Sequence, residues 1–174
     1  MACTLTTGRK LPCKSAVGGL KTVYFADFGT LGATTITSGE LTAIAGTPDL
    51  FQFDIKGNSS LESAINSSRE NGTTFYETTL NLTLTFLEKA TQEELKLIAH
   101  ARPHVFVEDY NGNYFVVGLE HGAEVTGGTI VSGAAMGDLS GFTLTMVAQE
   151  TAPPYFVTST VVTGNASATQ ITPN

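Results

Sequence analysis

The sequence predicts a mainly β protein, an antiparallel β-sandwich or barrel with one short α-helix packed on it. Three observations predict this. Thr is abundant, with 27 Thr beside 11 Ser in 174 residues, and a β-branched side chain suits a half-exposed strand. Charged residues make up 14% and hydrophobic residues 41%, against a usual charged share of about 25%, which is the opposite of a disordered composition. Several runs alternate apolar and polar residues between Gly- and Pro-marked turns. The length fits a single domain. It divides into an N-terminal arm over 1–19, a body over 20–152 and a C-terminal arm over 153–174.

The first strand is Lys21 to Phe28, with Val23 and Phe25 on one face and Tyr24 and Ala26 on the other. Gly29-Thr30-Leu31-Gly32 then turns the chain, and Ala33 to Thr37 reads as a short strand. Gly39, Gly46 and Pro48 leave 29–49 open and loop-like. In Leu50 to Lys56, Phe51, Phe53 and Ile55 face one way and Gln52, Asp54 and Lys56 the other. Gly57 to Gly72 is the most polar stretch, where Leu61, Ala64 and Ile65 sit at i, i+3, i+4 and suggest one helical turn.

Thr74 to Leu87 is the clearest strand. Leu80, Leu82, Leu84 and Phe86 take one face; Glu77, Thr79, Asn81, Thr83 and Thr85 take a Thr-rich outer face. A helix over Thr91–Arg102 follows, opened by the capping box Thr91-Gln92-Glu93-Glu94 and closed by Pro103. Val105 to Val117 carries Asn111-Gly112 between two β-rich runs, a strong hairpin signal. Glycines recur through 118–141 and bracket short strands at Ala123–Thr126 and Thr129–Ala134. Phe142, Leu144, Met146 and Ala148 alternate in a final strand that Pro153-Pro154 stops. Tyr155, Phe156 and Val157 then begin the C-terminal arm.

Motifs that carry chemistry are scarce. The net charge of −7 argues against a nucleic-acid-binding groove, which needs clustered Lys and Arg. It is compatible with a surface that DNA slides past. No run is long and apolar enough for a transmembrane helix. Pro12, Cys13, Lys14 and Ser15 interrupt any signal-peptide core, so a cytoplasmic origin is expected. Cys3 and Cys13 lack the paired spacing of a zinc site and read as reduced structural thiols. His100 and His104 are four apart, but Pro103 separates them, so they do not form a metal pair. The Gly-rich stretch lacks the strand–loop–helix order of a phosphate cradle. Glu93 and Glu94 are accounted for by the helix dipole. The expectation is no enzyme, no catalytic or metal residue and no cofactor.

Five segments together resemble the major tail tube proteins of tailed bacteriophages, in particular phages of Bacteroidota-type bacteria. They are Phe75–Leu87, the helix Thr91–Arg102, the hairpin Val105–Val117, and the turn-rich runs Gly118–Gly128 and Gly133–Thr145. The resemblance covers roughly residues 50–150 and consists of strand and turn patterns. It implies a β-sandwich or barrel subunit of a virion. Such subunits form hexameric rings that stack into a tube, assembled in the host cytoplasm. The lumen conducts DNA and the tape measure protein. Further partners would be the tail terminator, the tail tip or baseplate, and a sheath protein if the tail contracts; no membrane is involved. On this reading Glu77, Thr79, Asn81, Thr83 and Thr85 face the lumen. Gly29, Thr30, Leu31, Gly32, Ser38 and Gly39 belong to a ring-stacking loop, and Tyr155, Phe156 and Val157 make arm contacts. The competing readings are a head decoration or tail terminator protein, and then a carbohydrate-binding or adhesin module.

Overall fold

The structure, a computed structural model, describes residues 7–9, 14–55 and 58–167. Two β-sheets pack face to face. One has seven strands: β1 (Leu20–Ala26), β2 (Thr34–Thr37), β3 (Glu40–Ile44), β4 (Phe51–Asp54), β7 (His104–Asp109), β8 (Tyr114–Val117) and β11 (Tyr155–Val157). The other has four: β5 (Ser60–Ser68), β6 (Thr73–Thr85), β9 (Glu124–Val131) and β10 (Gly141–Glu150). The larger sheet runs β2-β3-β11-β8-β7-β1-β4 and the smaller runs β5-β6-β10-β9. Two helices, α1 (Lys89–His100) and α2 (Ser159–Thr163), complete the described chain.

Alternation explains the packing. Leu80, Leu82 and Leu84 of β6 meet Met146, Leu144 and Phe142 across the ladder to β10, and all six are buried. They pack against Val23, Phe25, Val105, Val107 and Val117 of the larger sheet. α1 adds Leu95 and Ile98 to the same core.

The larger sheet is buried on its other face as well. Tyr24, Phe106 and Val116 there meet Leu31, Leu41, Leu50 and the α2 residues Val161 and Val162. This second core explains why β1 and β7 read as nearly continuous apolar runs.

Several expectations are corrected. The segment over 29–49 is mostly a hairpin. β2 and β3 pair from Thr34↔Ile44 to Thr37↔Glu40. Ser38 and Gly39 form its two-residue turn with φ of 54° and 84°, the double positive φ of a type I′ turn. Leu61, Ala64 and Ile65 lie on strand β5, not on a helical turn. The capping box is not used: α1 starts at Lys89, Glu88 is its N-cap, and no side chain caps it. Thr91 is therefore inside the first turn. The two short strands expected at 123–134 are the single strand β9, with a bulge opposite Thr145/Met146. A second helix, α2, was not expected.

Tyr155–Val157, expected to begin an arm, is an interior strand. β11 pairs antiparallel with β8 and parallel with β3. At the other end, Val17 is clipped to the β7–β8 hairpin: Asn111 Oδ1 accepts from its amide at 2.9 Å, and Asn111 Nδ2 donates to its carbonyl at 2.8 Å. The segment Leu11–Cys13 and the tip beyond Ser167 lie outside the described residues.

Candidate assembly surface

Inward residues of β6 and β10 fill the core, so every second residue of the sheet faces away from the body. On β6 these are Phe75, Glu77, Thr79, Asn81, Thr83 and Thr85. The ladder places Gln149, Val147, Thr145 and Thr143 of β10 beside Glu77, Thr79, Asn81 and Thr83. It places Ala64, Glu62 and Ser60 of β5 on their other side. Thr129 and Gly127 of β9 stand beyond Thr143 and Thr145. The structure thus puts the five β6 residues singled out from sequence on one outer face. Glu62, Thr129, Thr143, Thr145 and Gln149 extend that face. Their alternation was visible, but which strands would be neighbours was not.

The face is held by its own hydrogen bonds. Thr145 Oγ1 donates to Asn81 Oδ1 at 3.0 Å, and Gln149 Nε2 donates to Glu77 Oε2 at 2.7 Å. The Thr129 and Thr143 hydroxyls lie 2.6 Å apart, and the Thr129 amide donates to Thr143 Oγ1 at 3.1 Å. Thr83 Oγ1 donates to the Asn58 carbonyl at 3.1 Å. The charges are all of one sign. None of the four strands contains Lys, Arg or His, whereas Glu62, Glu77 and Glu124 are on them. The surface therefore offers a phosphate backbone hydroxyls and amides but no counter-charge.

The sheet is also open at both sides. β5 and β9 are its edges, and neither contains Lys or Pro, the residues that commonly blunt an edge. The order β5-β6-β10-β9 is antiparallel at every step, so β5 and β9 run in opposite directions. Beside β9, facing the interior side of the sheet, a groove of about 590 Å³ separates this strand from α1. Leu95 and Ala99 of α1 and Val125, Ile130 and Leu144 line it.

The other residues singled out from sequence are distributed differently. Leu31 is buried in the second core and anchors its loop. Thr30 Oγ1 donates to the Asp27 carbonyl at 2.7 Å. Gly29, Gly32, Ser38 and Gly39 are exposed. Val157 is buried, while Phe156 is half exposed with its ring 4.7 Å from Phe115. These three β11 residues hold a strand within the body.

Gly29 leads to a histidine that sequence patterning did not assign a role. His104 is buried at the start of β7. Its Nε2 accepts from the Gly29 amide at 3.0 Å, which places the ring proton on Nδ1, donating to the Gly118 carbonyl at 2.6 Å. Phe28 stacks on the ring at 4.9 Å, and the Arg102 guanidinium lies 4.1 Å from the Phe28 centroid. Burial holds the His104 pKa below the usual 6.5, although the Gly118 bond and the Glu150 charge oppose it. Because the unfolded chain takes up the proton first, stability should be full above about pH 6.5 and fall as pH drops towards the native pKa. Denaturant midpoints between pH 7.5 and 5 should decline in the wild type. His104→Gln should lower the midpoint at neutral pH and reduce this slope; an unchanged slope would assign the acid sensitivity to other groups.

Among the described residues, no group of three or more His, Cys, Asp or Glu is arranged to hold a metal ion. No helix among them is long and apolar enough to cross a membrane. No protein-family model matches the chain, and no curated protein matches it in sequence.

Proposed function

We propose that the protein is a structural subunit of a phage virion, the tail tube protein. In this reading it forms stacked hexameric rings whose lumen conducts DNA. The observation that carries the proposal is the four-stranded sheet. The interior face of its central strands β6 and β10 is used by the core, the outer face is mostly polar and free of cations, and both edges are unpaired. A sheet built this way gains by continuing into further copies, because a closed ring removes the exposed edges. The outer face then becomes the wall of a channel. Hydroxyls and scattered carboxylates on that wall would let a polyanion pass without holding it, the repulsion being screened beyond about 8 Å at physiological salt.

The partners in this proposal are further copies of the chain, with DNA and the tape measure protein in the lumen. Terminator, tip or baseplate proteins, and a sheath where the tail contracts, would meet the ends and outside of the tube. The exposed β2–β3 turn at Ser38-Gly39 is available for contact between rings.

The test is negative-stain electron microscopy of the purified chain at rising concentration. Hollow tubes or stacked rings are the expected result. Discrete trimers or rings that never stack would favour a decoration or terminator protein instead.

A further inference from the structure

We infer that Asn111 is a modification site whose conversion releases the N-terminal segment: its side-chain nitrogen is lost to attack by the Gly112 amide once the clip to Val17 opens, and the carboxylate left behind keeps the clip open. This goes beyond the tube reading and stands without it.

The site is the joint between residues 17–19 and the β7–β8 turn. Asn111 Oδ1 accepts from the Val17 amide at 2.9 Å, and Asn111 Nδ2 donates to the Val17 carbonyl at 2.8 Å. The Tyr110 amide donates to the Gly19 carbonyl at 3.3 Å. Asp109 holds the turn itself. Its Oδ1 accepts from the Asn111 and Asn113 amides at 2.9 and 2.8 Å, and its Oδ2 from their side chains at 3.2 and 2.9 Å. Burial pushes the Asp109 pKa up, but the bonds from Asn113 and Asn111 outweigh it and hold the carboxyl below its usual range. Asp109 is therefore an anion at neutral pH.

An Asn followed by Gly suits this chemistry, because no Cβ shields the attacking nitrogen. Hydroxide takes the Gly112 amide proton. The nitrogen bonds to Asn111 Cγ, the Cγ–Nδ2 bond breaks, and ammonia leaves with a proton taken from water. Water then opens the cyclic imide, at Cγ to give aspartate or at the backbone carbonyl to give isoaspartate. Nothing is oxidised or reduced.

The closed clip opposes the reaction. The Gly112 amide donates to the Asp109 carbonyl at 3.2 Å, which occupies the proton that must leave. Ring closure also needs the Asn111 side chain to turn onto the Gly112 nitrogen, and both bonds to Val17 restrain it. The chain contains its own reference. Asn71-Gly72 is the same dipeptide in the turn between β5 and β6. Its Asn71 amide donates to Ser68 Oγ at 3.3 Å, but among the described residues the Asn71 side chain has no hydrogen-bond partner.

Conversion reverses the clip. An oxygen replaces Nδ2, so an acceptor would face the Val17 carbonyl, which is itself an acceptor. Nδ2 now lies 3.2 Å from Asp109 Oδ2. A carboxylate oxygen in its place would meet the Asp109 anion at that range, where like charges repel.

Peptide mass spectrometry of the full chain, held folded in mildly alkaline buffer, tests the site. Amide-to-acid conversion is followed at Asn71 and Asn111 in the wild type and in Val17→Pro, which lacks the amide that binds Asn111 Oδ1. Asn71 should convert at the same rate in both chains. Asn111 should lag several-fold behind Asn71 in the wild type and catch up in Val17→Pro. Equal rates at the two residues in the wild type, or an Asn111 rate that Val17→Pro leaves unchanged, would overturn the proposal.

Asn111→Asp tests the release. Hydrogen exchange at the Tyr110 amide should quicken several-fold, because Gly19 leaves with Val17, while the amide of Phe106 in β7 keeps its protection. Unchanged exchange at Tyr110 would mean that a carboxylate is clipped as well as an amide, which overturns the release. Lost protection at Phe106 as well would make the effect global unfolding and overturn it too.

Discussion

Leu82→Ala should lower the unfolding free energy by about 2–5 kcal/mol, read from denaturant midpoints at constant slope. Leu82 is 2% exposed, faces Leu144 across the β6–β10 ladder and sits in the core between the two sheets. Removing three carbons there deletes transfer energy. It also leaves a cavity that close-packed neighbours on two sheets can only partly fill. Thr79→Ala, on the opposite face of the same strand, should change stability by no more than about 0.5 kcal/mol. The contrast checks orientation. Equal costs at both positions, or a larger cost at Thr79, would reverse the assignment of inner and outer faces. The proposed channel wall would then move to the leucine face, which no aqueous conduit could use.

Legibility from sequence followed how local the determining physics was. β6 could be read directly because period-two alternation persists over its whole length, and the β7–β8 hairpin because Asn111-Gly112 satisfies a purely local need. β5 was misread because Leu61, Ala64 and Ile65 match a helical turn when counted alone. Their true arrangement is set by β6, whose Leu80, Glu77 and Tyr76 stand opposite them. The region 29–49 looked open because its glycines were read as breaks. Gly39 instead closes a tight hairpin, and Leu31 anchors the preceding turn in the second core.

Thr91 and Glu94 had the chemistry of a cap, but Lys89 and Ala90 continue the helix upstream of them. The C-terminal residues were the largest miss. Three residues, Tyr155 to Val157, are too few to show a period. Their place between β3 and β8 is dictated entirely by distant partners. The outer polar face was legible one strand at a time. Its continuity over four strands, and the free edges that make it part of a larger wall, appear only once the strands are ordered.

Thr79→Lys with Thr85→Lys should leave folding and assembly nearly unchanged while turning the tube into a trap for DNA. Both residues are on the outer face of β6, away from the core and from the edges where copies are proposed to meet. In a six-copy ring the pair would add about a dozen positive charges to a wall that now has none on its strands. A duplex contacting six to ten of them would bind with an affinity that falls by about 10³–10⁵ between 50 and 200 mM salt. The wild-type wall should show no comparable retention.

The readout is DNA that stays with the tubes and survives nuclease digestion, since DNA bound on the outside is digested. Ile36→Lys on the exposed edge strand β2 supplies that outside control: DNA it retains should be cleaved. Protected DNA that rises steeply with the lumen lysines and collapses with salt would assign this face to the channel. Intact tubes carrying those lysines with no more protected DNA than the wild type would place the channel against a different surface. The absence of cations on the four strands would then reflect only the low overall charge of the chain.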